Sequence, residues 1–219
     1  DVDAERGWRS ARDRWFAHNE QPPKSVIHYW AAAPGSGKLT INPATLVFTA
    51  NAASRTYGAS NPALSGQVSG FKNNESAATF GGSIWSTSVV ATTGVGDYAI
   101  VGSFANASPN YTITQAAGNA TSLTINPANV TVTANGGTSV YGSSPTNPGL
   151  SASGLQNGED VSVLTGLANG FGITSTHSVA GGPYTLSVLG TLSNPNYYVT
   201  ALNTGTWTVT PASVVVTAN

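Results

Sequence analysis

The segment INPATLVFTAN at residues 41–51 returns as INPANVTVTAN at 125–135 and as VTPASVVVTAN at 209–219, each copy beginning 84 residues after the one before. An internal repeat outranks any local pattern, because each period must be one structural unit. Other landmarks recur between the copies in the same order. TYG at 56–58 is answered by VYG at 140–142, NPALSGQVSGF at 61–71 by NPGLSASGL at 147–155, and NNE at 73–75 by NGE at 157–159. GVGDYAI at 94–100 is answered by AGGPYTL at 180–186, and SPNYTIT at 108–114 by NPNYYVT at 194–200. The offsets drift between 84 and 86 and then return, as short loop insertions would produce. The periods mark a first module at 43–126, a second at 127–210, the first strand of a third repeat at 211–219, and a non-repeating segment with its connector at 1–42. A unit of this length can bury its own core, unlike a single coil of a β-helix.

The unit is all-β. Val130, Val132 and Ala134 alternate with Thr131 and Thr133. Leu46, Phe48 and Ala50 hold the same places one copy earlier, and Val214, Val216 and Ala218 one copy later. Tyr184, Leu186 and Val188 alternate with Thr185 and Ser187. Alternation of this kind marks a strand with one buried and one wet face, and the Asn-Pro, Gly-Gly and Ser-Gly steps between runs are turns. The expected fold is two tandem sandwich-like modules, with a β-grasp-like sheet as the alternative, since periodicity does not reveal strand order. Val130, Val132, Leu186, Val188 and Val209 are expected in the second core. Trp207 takes the place of Leu123, and Trp85 falls near the place of Phe171, so both are expected to pack inside. Pro43, Pro127 and Pro211 stand at equivalent junctions, where a residue without an N–H lets a strand change partners. Tyr57-Gly58 and Tyr141-Gly142 are expected to be turns, each with a buried ring, a bonded hydroxyl and a glycine at positive φ.

Several functions are excluded by composition and spacing. APGSGKLT at 33–40 resembles a phosphate-binding loop, but Ala32 stands where its first glycine should be and Leu39 where its Ser or Thr should be. The equivalent residues NATS at 119–122 and NTGT at 203–206 lack the lysine, so the segment reads as a connector into a strand. Charged residues are only 8% of the chain. Beyond residue 38 they are Arg55, Lys72, Glu75, Asp97, Glu159 and Asp160 alone, which leaves no basic surface for nucleic acid. There is no Cys and no Met, hence no disulfide and no thiolate metal site, which suits a long-lived extracellular protein. No apolar run is long enough to cross a membrane. Glu159 and Asp160 are sequence neighbours, Asp97 lies in the other module and His177 has no partner in the sequence, so no catalytic residue, metal or cofactor is expected. Residues 73–219 contain no Lys, which rules out a Lys–Asn isopeptide cross-link within the second module.

The non-repeating segment reads as a helix with Trp8, Ala11, Trp15 and Phe16 on one face, followed by a strand over 25–33. A capping element for one end of the array is the expectation. At the other end the pattern stops one strand into a third copy. That implies an array cut from a longer one, with a strand donated head to tail between chains as the alternative.

The order P-x-x-strand-T-A-N, Y-G, N-P-x-L, S-G-[FL]-x-N, G-x-Y, N-Y and T-[IV]-x-P over residues 43–219 resembles the MBG-type repeats, of the Tyr-Gly (YGX) kind, that occur in tandem in large bacterial surface and secreted proteins similar to filamentous haemagglutinin and other adhesins. The resemblance implies an extracellular, non-enzymatic structural or adhesive region forming a rod-like stalk or filament. Its implied partners are neighbouring repeat modules or copies of the chain itself, with a surface glycan or protein receptor as ligand. A carbohydrate-binding module using Trp85, Tyr197 or Tyr198 is the competing reading.

Overall fold

The structure, a computed structural model, describes residues 39–106 and 108–218. The expected helix around Trp8–Phe16 and the expected strand over 25–33 lie outside the described residues. Pro43–Asn219 forms one compact unit.

Each module contributes eight short strands. In the first they are β1 Ala44–Ala50, β2 Ala53–Thr56, β3 Gly66–Ser69, β4 Ser83–Ser86, β5 Gly96–Tyr98, β6 Val101–Phe104, β7 Tyr111–Gln115 and β8 Leu123–Asn126. In the second they are β9 Ala128–Ala134, β10 Gly137–Val140, β11 Leu150–Ser153, β12 Leu167–Asn169, β13 Tyr184–Leu186, β14 Val188–Gly190, β15 Tyr197–Asn203 and β16 Gly205–Thr210. The first module has sheets ordered β3-β1-β7 and β2-β8-β5 with a separate pair β4-β6. The second has β11-β9-β15, β10-β16-β13 and β12-β14. Strand for strand these are the same topology, so the sequence repeat is a repeat of fold.

In each module the first strand pairs in parallel with the seventh, and the second with the eighth. All other pairs are antiparallel. Thus residues 44–56 run beside 111–126, and both segments cross from one small sheet into another. Parallel partners cannot be joined by a tight turn, so the rest of the module forms the crossover.

The small sheets pack across a core, as a sandwich-like module requires. Val130 and Val132 of β9, Leu186 of β13 and Val209 of β16 are buried, and Val188 of β14 is half-buried. In the first module the ring of Phe48 meets Trp85 and Phe104 edge-on, and Phe104 packs on Phe80. Trp85 does not correspond to Phe171, as residue offsets suggest. Trp85 pairs with Gly102, whereas in the second module Asn169 pairs with Val188. Asn169 is therefore the counterpart of Trp85, and it donates Nδ2 to the carbonyls of Asn135 and Gly149. The volumes balance. Trp85 lies over Gly66 and Gly102, whose equivalents Leu150 and Val188 fill the space above the smaller Asn169. Trp207 is buried as expected, with Phe171 edge-on at 5.0 Å and Nε1 donating to Ser139 Oγ. Arg55 stands where Ser139 does. It is buried and pairs with Ile125 on β8, where Leu123 is the small counterpart of Trp207, and its guanidinium is held by the carbonyls of Thr56 and Val90 and by Asn61 Oδ1.

Residues 211–218, which repeat the sequence of β1 and β9, form no strand. Val214, Val215 and Val216 are 83–88% exposed. β1 and β9 are strands because β3 and β7, or β11 and β15, flank them. No strand among the described residues flanks 211–218, and alternation alone does not satisfy a backbone.

A Cβ at Gly102 would lie 2.2 Å from the Phe48 ring and 2.8 Å from Trp85. Gly102→Ala should therefore lower stability by about 1–3 kcal/mol through overpacking, measured by chemical denaturation. Adding Trp85→Phe should recover part of that loss, because it vacates space over the same glycine.

Candidate functional site: the junction between the modules

Lys72-Asn73-Asn74-Glu75 and Gln156-Asn157-Gly158-Glu159 are equivalent turns. Each has its two central residues at positive φ, 54° and 59° in the first and 55° and 73° in the second. Each is closed by the glutamate N–H donating to the carbonyl three residues back. Positive φ at both central positions selects Asn and Gly, which explains the N-[NG]-E pattern. The turn aims its closing glutamate at a tyrosine of its own module. Tyr111 donates to Glu75 and accepts from the Lys72 N–H. Tyr197 donates to Glu159 and accepts from the Gln156 N–H.

At the boundary between modules a second tyrosine completes this arrangement. Tyr57, from the Tyr-Gly turn of the first module, donates to the other carboxylate oxygen of Glu159 at 2.7 Å. Its ring meets Tyr197 edge-on at 5.5 Å. Glu159 is thus clamped by one phenol from each module. Gly58 has φ 82°, and a Cβ there would lie 2.5 Å from Gln156, so the glycine serves both the turn and the close approach of the second module. Next to the clamp, Asn196 Oδ1 accepts from the Val95 N–H at 2.9 Å. Around these contacts the apolar residues form one continuous core. Tyr57, Val89, Ile100, Leu123 and Ile125 of the first module pack with Ala128, Val130, Val132, Leu164 and Tyr197 of the second. Only Pro127 separates β8 from β9.

The phenols respond to this setting. Burial first, and then the bond to Glu159, push Tyr197 up to about 12. The bond to Glu159, with burial adding to it, raises Tyr57 above its ordinary value.

The other Tyr-Gly turn differs. Gly142 has φ 86° as expected, but nothing lies within 4 Å of where its Cβ would stand. Tyr141 is 50% exposed, against 4% for Tyr57. The expectation that both rings are buried with bonded hydroxyls holds for Tyr57 and fails for Tyr141, because the burial and the bond of Tyr57 come from the second module.

The remaining candidates are structural. Asp160 caps the short turn Val161–Val163 by accepting from the Ser162 N–H, and this bonding holds its carboxyl below the usual range. Asp97 accepts from Thr124. His177 closes its own loop by accepting from the Thr174 N–H and packs edge-on against Tyr184. Of the three aromatic residues proposed for sugar stacking, Tyr197 is buried, Trp85 is half-buried against Phe48, and Tyr198 is 63% exposed. Residues 33–38 of the phosphate-loop-like stretch lie outside the described residues. No group of three or more metal-ligating side chains occurs among the described residues. No helix among them is long and apolar enough to cross a membrane.

Glu159 is the residue that sequence reasoning missed. The sequence signal for it is the recurrence of an acid in NNE and NGE alongside two recurring tyrosine motifs. Two eight-strand units of the same topology, joined across one proline by a shared core and a carboxylate clamp, define a tandem-repeat all-β protein. The family model described as MBG domain (YGX type) matches residues 46–121 and 130–208, most of the chain, and the chain belongs to that family. It is a family of structural domains and not one of enzymes. Searches of curated proteins and of solved structures return no match to the chain.

The two tyrosine motifs make a matched pair of tests. Tyr57→Phe should cost about 1.5–3 kcal/mol, the range for a hydrogen bond to a charged group, whereas Tyr141→Phe should stay within about 0.5 kcal/mol, as surface changes do. Thermal and urea unfolding of the two variants checks this. The raised phenols also set a pH dependence. Unfolded tyrosine ionises near pH 10, while the folded junction keeps its protons longer. The folded state therefore binds more protons in that window. The stabilisation is fully present below about pH 10 and is lost as pH rises toward the folded value of Tyr197, about 12. Tyr197→Phe should flatten the fall in stability over that range.

Proposed function

We propose that this chain is part of an extracellular structural or adhesive repeat region, a rod-like stalk or filament of a bacterial surface protein. The carrying observation is the junction itself, a core continuous across a single proline and fastened by Tyr57, Glu159 and Tyr197. A joint of this kind transmits orientation from one module to the next, which a flexible linker does not. Reach needs no catalytic group, and the four acids among the described residues, Glu75, Asp97, Glu159 and Asp160, each accept hydrogen bonds that hold the fold or the junction. The surface of Thr, Ser and Asn with 8% charged residues suits a spacer exposed to solvent.

Small-angle X-ray scattering of the full chain tests the mechanical part of this reading. The distance distribution between modules should be narrow. Inserting four Gly-Ser residues between Asn126 and Pro127 should broaden it. A wild-type profile already as broad as that of the insertion variant would defeat the reading. Immunogold labelling of the producing cells tests the location, and label confined to the cell interior would count against it.

A further inference from the structure

We infer that the end of the second module around Tyr141 and Gly142 is a docking surface for a further module of the same repeat type, which enters with its N-[NG]-E turn and its Asn-Tyr pair. The inference rests on the tandem-repeat reading above and adds the surface and the chemistry of its partner. The argument is continuity with an interface already present in the chain. Every element that receives the second module on the first has a counterpart on the second. Tyr57 and Gly58 become Tyr141 and Gly142. The Tyr57 N–H donates to the carbonyl of Asn126 at the end of β8, and the Tyr141 N–H donates to that of Thr210 at the end of β16. Tyr98 donates its hydroxyl to the Gly94 carbonyl, and Tyr184 donates to that of Ser178. The residues that follow, Val95 and Val179, are therefore equivalent too.

The contrast lies in coverage. Val95 packs in the shared core and bonds Asn196, whereas Val179 is 41% exposed and Tyr141 half-exposed. Below this surface Ile173, Leu186, Trp207 and Val209 form a core of their own. Their first-module counterparts Val89, Ile100, Leu123 and Ile125 are instead fused with the next module. An apolar end bearing a phenol calls for a partner with a carboxylate held by its own tyrosine. The N-[NG]-E and N-Y motifs build that group in both copies, as Glu159–Tyr197 and as Glu75–Tyr111. One difference tunes the fit. Ser178 stands where Gly94 does, and a Cβ at Gly94 would sit 3.0 Å from Asn196 Oδ1, so the entering asparagine must turn slightly aside.

The test extends the full chain at Thr210 with a second copy of residues 127–210, so that the added copy's proline takes the place of Pro211. Tyrosine nitration by tetranitromethane, read by peptide mass spectrometry, reports each ring. Tyr141 should nitrate readily in the 219-residue chain and at least tenfold more slowly in the extended one. Glu159→Gln in the added copy alone should restore a large part of the reactivity, while Tyr57 stays protected throughout. If Tyr141 reacts equally in both chains while Tyr57 remains protected, the surface is not a module socket, and the junction reading stands without it. An added copy that fails to fold would overturn the inference as well, because the same sequence folds when it follows Asn126. Protection of Tyr141 that grows with concentration of the 219-residue chain would support the inference in trans, with Glu75–Tyr111 of a second copy as the entering group.

Discussion

Everything in this fold depends on pairing the start of each module with its end. β1 lies parallel to β7 and β2 to β8, across about seventy residues of intervening chain. Closing so large a loop carries an entropic cost that grows only slowly with length, and the return is that both ends of a module are held in its central strands. β8 therefore finishes inside the first module, and β9 begins inside the second, one residue later. No length remains for a linker. Pro127 suits the crossing, since it offers no N–H to either sheet.

A shared apolar core could slide or rotate at little cost, because hydrophobic contact has no direction. The Tyr57–Glu159–Tyr197 clamp supplies direction. A carboxylate with two oxygens accepts one phenol from each module, and its own position is set by a turn whose backbone demands Asn and Gly. Glu159 is half-buried, so removing either tyrosine takes a charge-assisted bond from a carboxylate oxygen that is partly screened from water. Register between modules is thus set by a few polar atoms, and adhesion between them by area.

The two copies have changed their interiors and kept their joints. Phe48, Phe80 and Trp85 in the first module face Val132, Leu164 and Asn169 in the second, and Arg55 with Leu123 faces Ser139 with Trp207. These exchanges conserve volume in compensating groups, as cores tolerate. The turn, the glutamate and both tyrosine motifs are present in each copy, although only one set meets a partner among the described residues.

The sequence by itself determined the repeat, its period, the β character of the modules, the buried face of β1 and β9, the Tyr-Gly turns and the proline between modules. All of these follow from local rules, namely two-residue alternation, positive φ at glycine and the missing proline N–H. It also made Trp207 legible as core, by substitution at a known buried position. The tertiary structure alone decided the parallel pairing, the exchange of Trp85 with Asn169, the lack of a strand over 211–218 and the role of Glu159. Each of these depends on which distant residues meet, and alternation is blind to partners. A strand pattern such as that of residues 213–218 is only half a strand until another backbone satisfies it. In the same way, Tyr57, more than a hundred residues from Glu159, joins Glu159 and Tyr197 in one site only when one module stands on the next.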